Sequence, residues 1–382
     1  MGVPPSGGRQ AREPGVKSKN YRITGADNIG AGTPQEKYQN NINAIKLLKQ
    51  LEMEGRQATP EEQSVLIKYV GWGGMPQVFD EDNEKFEAKF NELKGLLTEE
   101  EYKAARATTP NAHYTSPEVI QSIYHVVGRL GFTGGRIIEP GSGVGHFAGL
   151  MPDAMMNESR MTMVEIDSIS GRIIKQLYPE EDTRLQGYET VKIPDNFFDA
   201  AVGNVPFGNF PVYDPAYQKM GLARSIHNYF FAKTLDKLRP GGVLAFITTH
   251  HTLDAPSKQN VRESLAEQAD LIGAIRLPKS AFPDTEVVTD IIYMRKRLPG
   301  EEPGDQRWVQ TQQLSIEKPE PNYRGEIEGI EAPVNQYFID HPEMVLGTHS
   351  ATGTMRGRDE YAGERIAGRD LVQDIHTATA RF

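Results

Sequence analysis

The sequence predicts an α/β protein, and three observations carry that prediction. Short apolar runs of the kind that make buried strands recur at 136–139, 161–165, 197–202 and 243–247. Stretches with apolar residues at helical spacing lie between them. Glycine-rich turns mark the change from one to the other, above all at Gly141, Gly143 and Gly145.

In chain order, residues 1–22 read as a disordered basic lead-in. They hold Arg9, Arg12, Lys17, Lys19 and Arg22 against the single acid Glu13, with no apolar core of a secretory signal. Residues 23–107 read as a helical N-terminal region. Ile42, Ala44, Ile45, Leu47, Leu48 and Leu51 share a helix face, Thr59-Pro60-Glu61-Glu62 is a helix start, and Phe86, Phe90, Leu93 and Leu96 mark another helix. Between them, Trp72 in the Gly-rich stretch 69–74 reads as a packing anchor.

Residues 108–297 form the predicted α/β domain. A helix starts at Ser116-Pro117 and runs to about 130. The strand 136–139, a short helix near 147–151, the strand 161–165 and a helix over 170–177 follow. The strand 197–202 leads into a long loop, 208–225, and a helix over 226–238 that Arg239-Pro240-Gly241-Gly242 stops. After strand 243–247 come a helix at 258–268 and two strands, 271–276 and 287–296, close enough to pair antiparallel. Residues 298–382 read as a linker and extended C-terminal arm, or the start of a further domain, with one candidate strand at 308–310.

Composition narrows the function classes. The 382 residues are 38% hydrophobic and 25% charged, which suits a globular body. No apolar run approaches the ~20 residues of a membrane span, so no membrane partner and a cytoplasmic location are expected. The net charge of −10 does not advertise a nucleic-acid binder. Basic residues gather at the ends, at Arg356, Arg358, Arg365, Arg369 and Arg381 as well as in the lead-in, either as solvated termini or to track phosphates. The chain has no cysteine. That excludes disulfides, thiolate-bound zinc and cytosine methylation through a thiolate adduct. His113, His146, His227, His250 and His251 lack ligand spacing, so no metal site is expected.

Two turns carry the chemistry. Gly203-Asn204-Val205-Pro206-Phe207-Gly208 closes an apolar strand with an amide, a rigid proline and a ring. The Asn204 side-chain oxygen and the Val205 carbonyl are placed to accept both N–H bonds of an aromatic amine, with Phe207 stacked on its ring. Glu139-Pro140-Gly141-Ser142-Gly143-Val144-Gly145 lies between a strand and a helix, where glycines let a ligand approach the backbone. The Glu139 carboxylate disfavours a pyrophosphate there and suits an ammonium group. Glu165, at the tip of the next strand, stands where a ribose diol is held, and Ile166 is placed to flank an adenine ring.

These residues resemble the motifs of class I S-adenosylmethionine-dependent methyltransferases, and more narrowly the adenine-N6 DNA methyltransferases with gamma-type motif order. The resemblance covers about 108–297 and implies a Rossmann-like seven-stranded sheet. It makes Tyr114, Thr115 and Ser116 the leading cofactor-binding motif, with Thr115 or Ser116 and the helix N-terminus for the methionine carboxylate, and assigns Glu139, Pro140, Gly141, Gly143 and Gly145 to the Gly-rich motif and Glu165 to the ribose. It makes Asn204, Val205, Pro206 and Phe207 the catalytic turn, with S-adenosylmethionine as methyl donor and a flipped adenine of duplex or single-stranded DNA as acceptor. Val205 replaces the usual proline, which lowers loop rigidity. In place of the usual acid for the cofactor adenine stand Gln186 or Glu189, with Tyr188 placed to stack. Phe210, Tyr213 and Tyr217 either close on the base or pack their loop down.

The whole chain further resembles the methyltransferase part of large phage and plasmid methyltransferase–helicase proteins, some implicated in defence against restriction. The stretches 20–24, 69–74, 203–208 and 342–347 carry that likeness. It implies a fused or separate helicase partner. Two rival functions remain: methylation of RNA or a protein glutamine, and a degenerate non-catalytic DNA-binding module.

Overall fold

The computed structural model describes residues 18–109, 115–279, 281–282, 287–318, 324, 327–355 and 358–382. The remainder of the expected lead-in, residues 1–17, lies outside them, as do His113 and Tyr114.

The central sheet is built from β1 (Gly135–Pro140), β2 (Ser159–Glu165), β3 (Asp182–Leu185), β4 (Phe198–Asn204), β5 (Leu238–Thr249), β6 (Ala269–Leu277) and β7 (Thr289–Lys296). Its seven strands run in the order β3-β2-β1-β4-β5-β7-β6. β1 with β2, β2 with β3, and β4 with β5 are parallel, whereas β7 runs antiparallel to both β5 and β6. A reversed last strand inserted between the fifth and sixth is the class I methyltransferase sheet that the motifs imply. Central strands are apolar on both faces: every side chain of β5 from Val243 to Thr249 is buried. The short β3, Asp182-Thr183-Arg184-Leu185, is absent from the sequence reading. It is a polar edge strand whose order comes from its ladder with β2.

The described chain divides into two compact units, 18–121 with 133–192 and 122–132 with 193–382. The first holds helices Pro34–Glu54, Pro60–Leu66, Glu87–Leu96 and Glu99–Thr108. Three of them start in capping boxes, where Thr33, Thr59 and Thr98 exchange bonds with Glu36, Glu62 and Glu101. Trp72 is fully buried, edge-on to Tyr38, Tyr69 and Phe79, as a packing anchor must be. Arg172, on helix Ser168–Leu177, pairs with Glu52 at 2.8 Å and Glu101 at 2.6 Å. Residues 18–22 depart from the flexible lead-in expected there. The Tyr21 N–H donates to the Leu177 carbonyl at 2.7 Å, and the Asn20 amide donates to Glu181 at 2.7 Å.

In the second unit the C-terminal arm carries more regular structure than its patterning suggests. β8 (Thr311–Glu317) pairs antiparallel with β9 (Gly329–Asn335), and β10 (Gly347–Met355) with β11 (Arg358–Arg365). The expected strand at 308–310 is instead a 3-10 turn, Arg307–Val309, that buries Trp308. Both hairpins are built largely of polar residues, so the apolar alternation that signals a strand is weak in them.

Candidate active site

The Gly-rich turn leaves β1 at Pro140, in the first unit. Gly141, Gly143 and Gly145 all have left-handed φ, at 74°, 57° and 80°. At Gly145 the need is steric as well: a methyl group there would sit 2.6 Å from the Tyr178 ring and 3.2 Å from the Met163 sulfur. The turn is tied to β2. The Gly141 and Ser142 N–H groups donate to the Val164 carbonyl at 2.8 and 3.0 Å, and the Ser142 hydroxyl donates to the Glu139 carbonyl at 2.7 Å.

Glu139 is buried, and its Oε2 has no hydrogen-bond partner. Burial, and then the nearby Glu165 charge, push its carboxyl well above the ordinary carboxylate range. A buried carboxylate with an unmet acceptor fits a cationic group, so the donor set suits the ammonium of a methionine moiety. Glu165 is also buried, but its oxygens hold backbone. Oε2 accepts from the Gly143 N–H at 2.7 Å and Oε1 from the Asp167 N–H at 2.8 Å. The Ile166 N–H also bonds this carboxyl, so acceptor capacity is left for about one further donor such as a ribose hydroxyl. Burial, then Asp167, raise this carboxyl to about 7. Ile166 is 68% exposed beside it.

Thr115 is buried and Ser116 half-buried just before helix Pro117–Arg129, whereas the third residue assigned to that role, Tyr114, lies outside the described residues. Tyr188 is buried in the turn after β3, with Gln186 exposed and Glu189 half-buried around it. Sequence reasoning missed Tyr69. The 69–74 loop brings its buried ring up to the tip of β2, where it hydrogen-bonds Ser170 and feels the Asp167 and Glu165 charges. The helical region thereby backs the turn after β2. The only sequence signal was the Gly-rich run around Trp72.

The second unit holds the acceptor turn. Asn204 ends β4, in register with Ile247 of β5. Val205 is buried, and its N–H donates to the Ile247 carbonyl at 3.1 Å. A proline has no N–H to give, so this bond supplies the rigidity that the sequence departure seemed to remove. Pro206 and Phe207 are half-buried after it. A methyl group at Gly208 would run into the Phe210 ring, so the glycine lets that aromatic fold back over the turn.

The loop's three aromatics divide. Tyr217 packs down, with its hydroxyl donating to Asp236 at 2.6 Å and its ring edge-on to Tyr229. Phe210 is 43% exposed and Tyr213 79% exposed. His227, which sequence reasoning treated as structural, is buried at the start of helix Ile226–Lys237. His250 is buried and faces the Val288 carbonyl, Nδ1 to oxygen at 3.2 Å, which gives it a structural place.

No family model matches the chain. Over 263 residues, 67% of its length, the chain is 29% identical to the defence against restriction protein B of Escherichia phage P1, and it spans 10% of that protein. In fold it is similar to a chain described as a class I S-adenosylmethionine-dependent methyltransferase from Listeria monocytogenes, at 15% identity and TM-score 0.47 over 71% of this chain and 90% of that one. It is also similar to a type I restriction-modification methyltransferase subunit from Streptococcus thermophilus, at 13% identity and TM-score 0.42 over 70% of each. No helix among the described residues is long and apolar enough to cross a membrane. By strand order the chain has the class I methyltransferase fold, and in sequence it is similar to a phage protein of defence against restriction.

Proposed function

We propose that the chain is a DNA methyltransferase that moves a methyl group from S-adenosylmethionine to the exocyclic N6 of an adenine, in the service of a phage or plasmid evading restriction. The observation that carries this reading is the buried Glu139 carboxylate, with its unpartnered Oε2, at the head of a turn of three left-handed glycines. When bound, S-adenosylmethionine supplies an electrophilic sulfonium methyl. Glu139 meets the ammonium, Glu165 the ribose, and Thr115 with Ser116 the carboxylate. The Asn204 oxygen and the Val205 carbonyl take the two amine hydrogens, which turns the nitrogen lone pair out of conjugation with the ring. Phe207 fixes the ring plane. The chain needs little beyond this alignment, which supplies roughly 7–11 kcal/mol in well-oriented systems.

The test is to incubate the protein with S-adenosylmethionine and unmodified DNA and map modified bases by single-molecule sequencing, with radiolabelled transfer to RNA and protein run alongside. N6-methyladenine in DNA is expected. Label in RNA or protein alone, or in nothing, overturns the proposal.

Cofactor affinity should depend on pH through Glu165. Ribose hydroxyls need an ionised acceptor, and this carboxyl ionises only near pH 7. Affinity measured by calorimetry should therefore fall as pH drops from 8 to 6, roughly 3- to 10-fold. Glu165→Gln should bind more weakly and lose that slope. A wild-type profile flat over this range would remove Glu165 from the ribose contact.

A further inference from the structure

The loop after the acceptor turn is held from below and bare above. Its Val212 N–H donates to the Ala223 carbonyl at 2.9 Å, and Asp214 takes the Tyr229 hydroxyl at 2.8 Å and the Lys233 ammonium at 3.4 Å. Gly221 lies against the start of helix Gln259–Gln268, where a methyl on its α-carbon would be 3.5 Å from the Asn260 amide nitrogen. That contact brings Arg224 of the loop and Lys258 of the helix start to one place.

Several cations of this unit pair with carboxylates, among them Lys233 with Asp214, Lys237 with Asp195, Arg239 with Asp199, Lys279 with Glu364 and Arg297 with Asp270. Among the described residues, Arg224 and Lys258 have no such partner. Burial and then the Arg224 charge hold the Lys258 ammonium below its ordinary range. Two cations brought close by that loop contact, with no carboxylate partner and partly open to solvent, make a local positive patch in a chain of net charge −10.

We propose that Arg224 and Lys258, together with the exposed rings of Phe210 and Tyr213, form the surface on which this unit takes a DNA strand. The two cations sit on phosphodiesters, and the rings stack against an unpaired base or sugar face. The proposal deepens the reading of Asn204–Phe207 as an adenine site and rests on it. It places the strand's grip on the loop beside the base rather than on the basic chain ends.

The two kinds of contact have different salt signatures, which makes the surface testable. Binding of a short fluorescein-labelled DNA duplex carrying one mismatched adenine is followed by anisotropy over a salt series. Arg224→Gln and Lys258→Gln should each weaken binding roughly 3- to 10-fold and lower the slope of log affinity against log salt by about 1. Tyr213→Ala should weaken it about 5-fold or more with the slope unchanged. Lys175→Gln, an exposed charge of the other unit, should change neither.

Melting temperature and cofactor binding report that each variant folds. A double Arg224→Gln, Lys258→Gln variant with wild-type affinity and slope overturns the proposal, as does a wild-type chain with no measurable DNA affinity. Loss of slope in a protein that methylates no DNA supports the surface and removes only the chemistry.

Discussion

Asn204→Ala is expected to lower methyl transfer at least ~100-fold while cofactor affinity stays within about 2-fold of wild type. The aryl amine is a poor nucleophile because its lone pair is shared with the ring. Only an acceptor pair fixed before the reaction can hold both hydrogens and free that pair. Alanine removes one acceptor and leaves the other, the Val205 carbonyl, still pinned through the Val205 N–H to Ile247. The loss should therefore appear in kcat, with little change in the KM for DNA, because the bond tightens as the nitrogen pyramidalises. Asn204→Asp keeps an acceptor oxygen and should retain measurable turnover. Single-turnover radiolabel kinetics beside calorimetry separate the two effects. Wild-type turnover in Asn204→Ala would dismiss the amide from the chemistry.

Much of this was legible in the sequence, and the reason is physical. A strand that ends in Glu139-Pro140 and opens a run of glycines has few uses other than letting a ligand reach the backbone, and those glycines do take left-handed φ. Trp72, in a loop too glycine-rich to be a helix, had to be an anchor. What stayed hidden is what depends on partners far off in the chain. β3 is four residues, three of them polar, that become a strand only beside β2. The β8–β9 alternation, Leu314 with Ile316 and Ile330 with Ala332 and Val334, is short and broken by Pro333, and β10–β11 is largely polar, so residues 298–382 read as an arm with almost no regular structure. The Val205 departure looked like a loss because the hydrogen bond that offsets it is made to another strand. Tyr69 gave no sign of its role, because its partners Ser170 and Asp167 lie a hundred residues away.

Arg276→Ala is expected to destabilise the second unit by about 3–5 kcal/mol, the largest stability effect foreseen here. Arg276 is fully buried on β6. It forks onto both oxygens of Asp290 at 2.8 and 2.9 Å and reaches Asp254 at 2.8 Å, while its plane lies 4.1 Å from the Phe338 ring centroid. Asp254 in turn accepts the Asn335 N–H at 2.8 Å, and the Tyr361 hydroxyl lies 3.4 Å from the guanidinium. One cation thus joins the sheet to β9, helix Gln336–Asp340 and β11, which is how a weakly patterned arm is held in place. Two carboxylates already exceed it in charge, and burial raises Asp290 to about 6 despite the arginine. Removing Arg276 strands both acids in a dry site.

The pH dependence follows in sign. A carboxyl whose folded value is raised favours the folded state while protonated and costs stability as pH climbs through that value. The Arg276→Ala deficit should therefore be larger at pH 8 than at pH 5. Urea unfolding at both values, with limited proteolysis of residues 298–382, measures it. Arg276→Met combined with Asp254→Asn and Asp290→Leu should recover most of the loss, since no charge is then left unpaired. If Arg276→Ala is as stable as wild type at pH 8, or if the triple variant is no better than the single one, buried charge is not what fastens the arm.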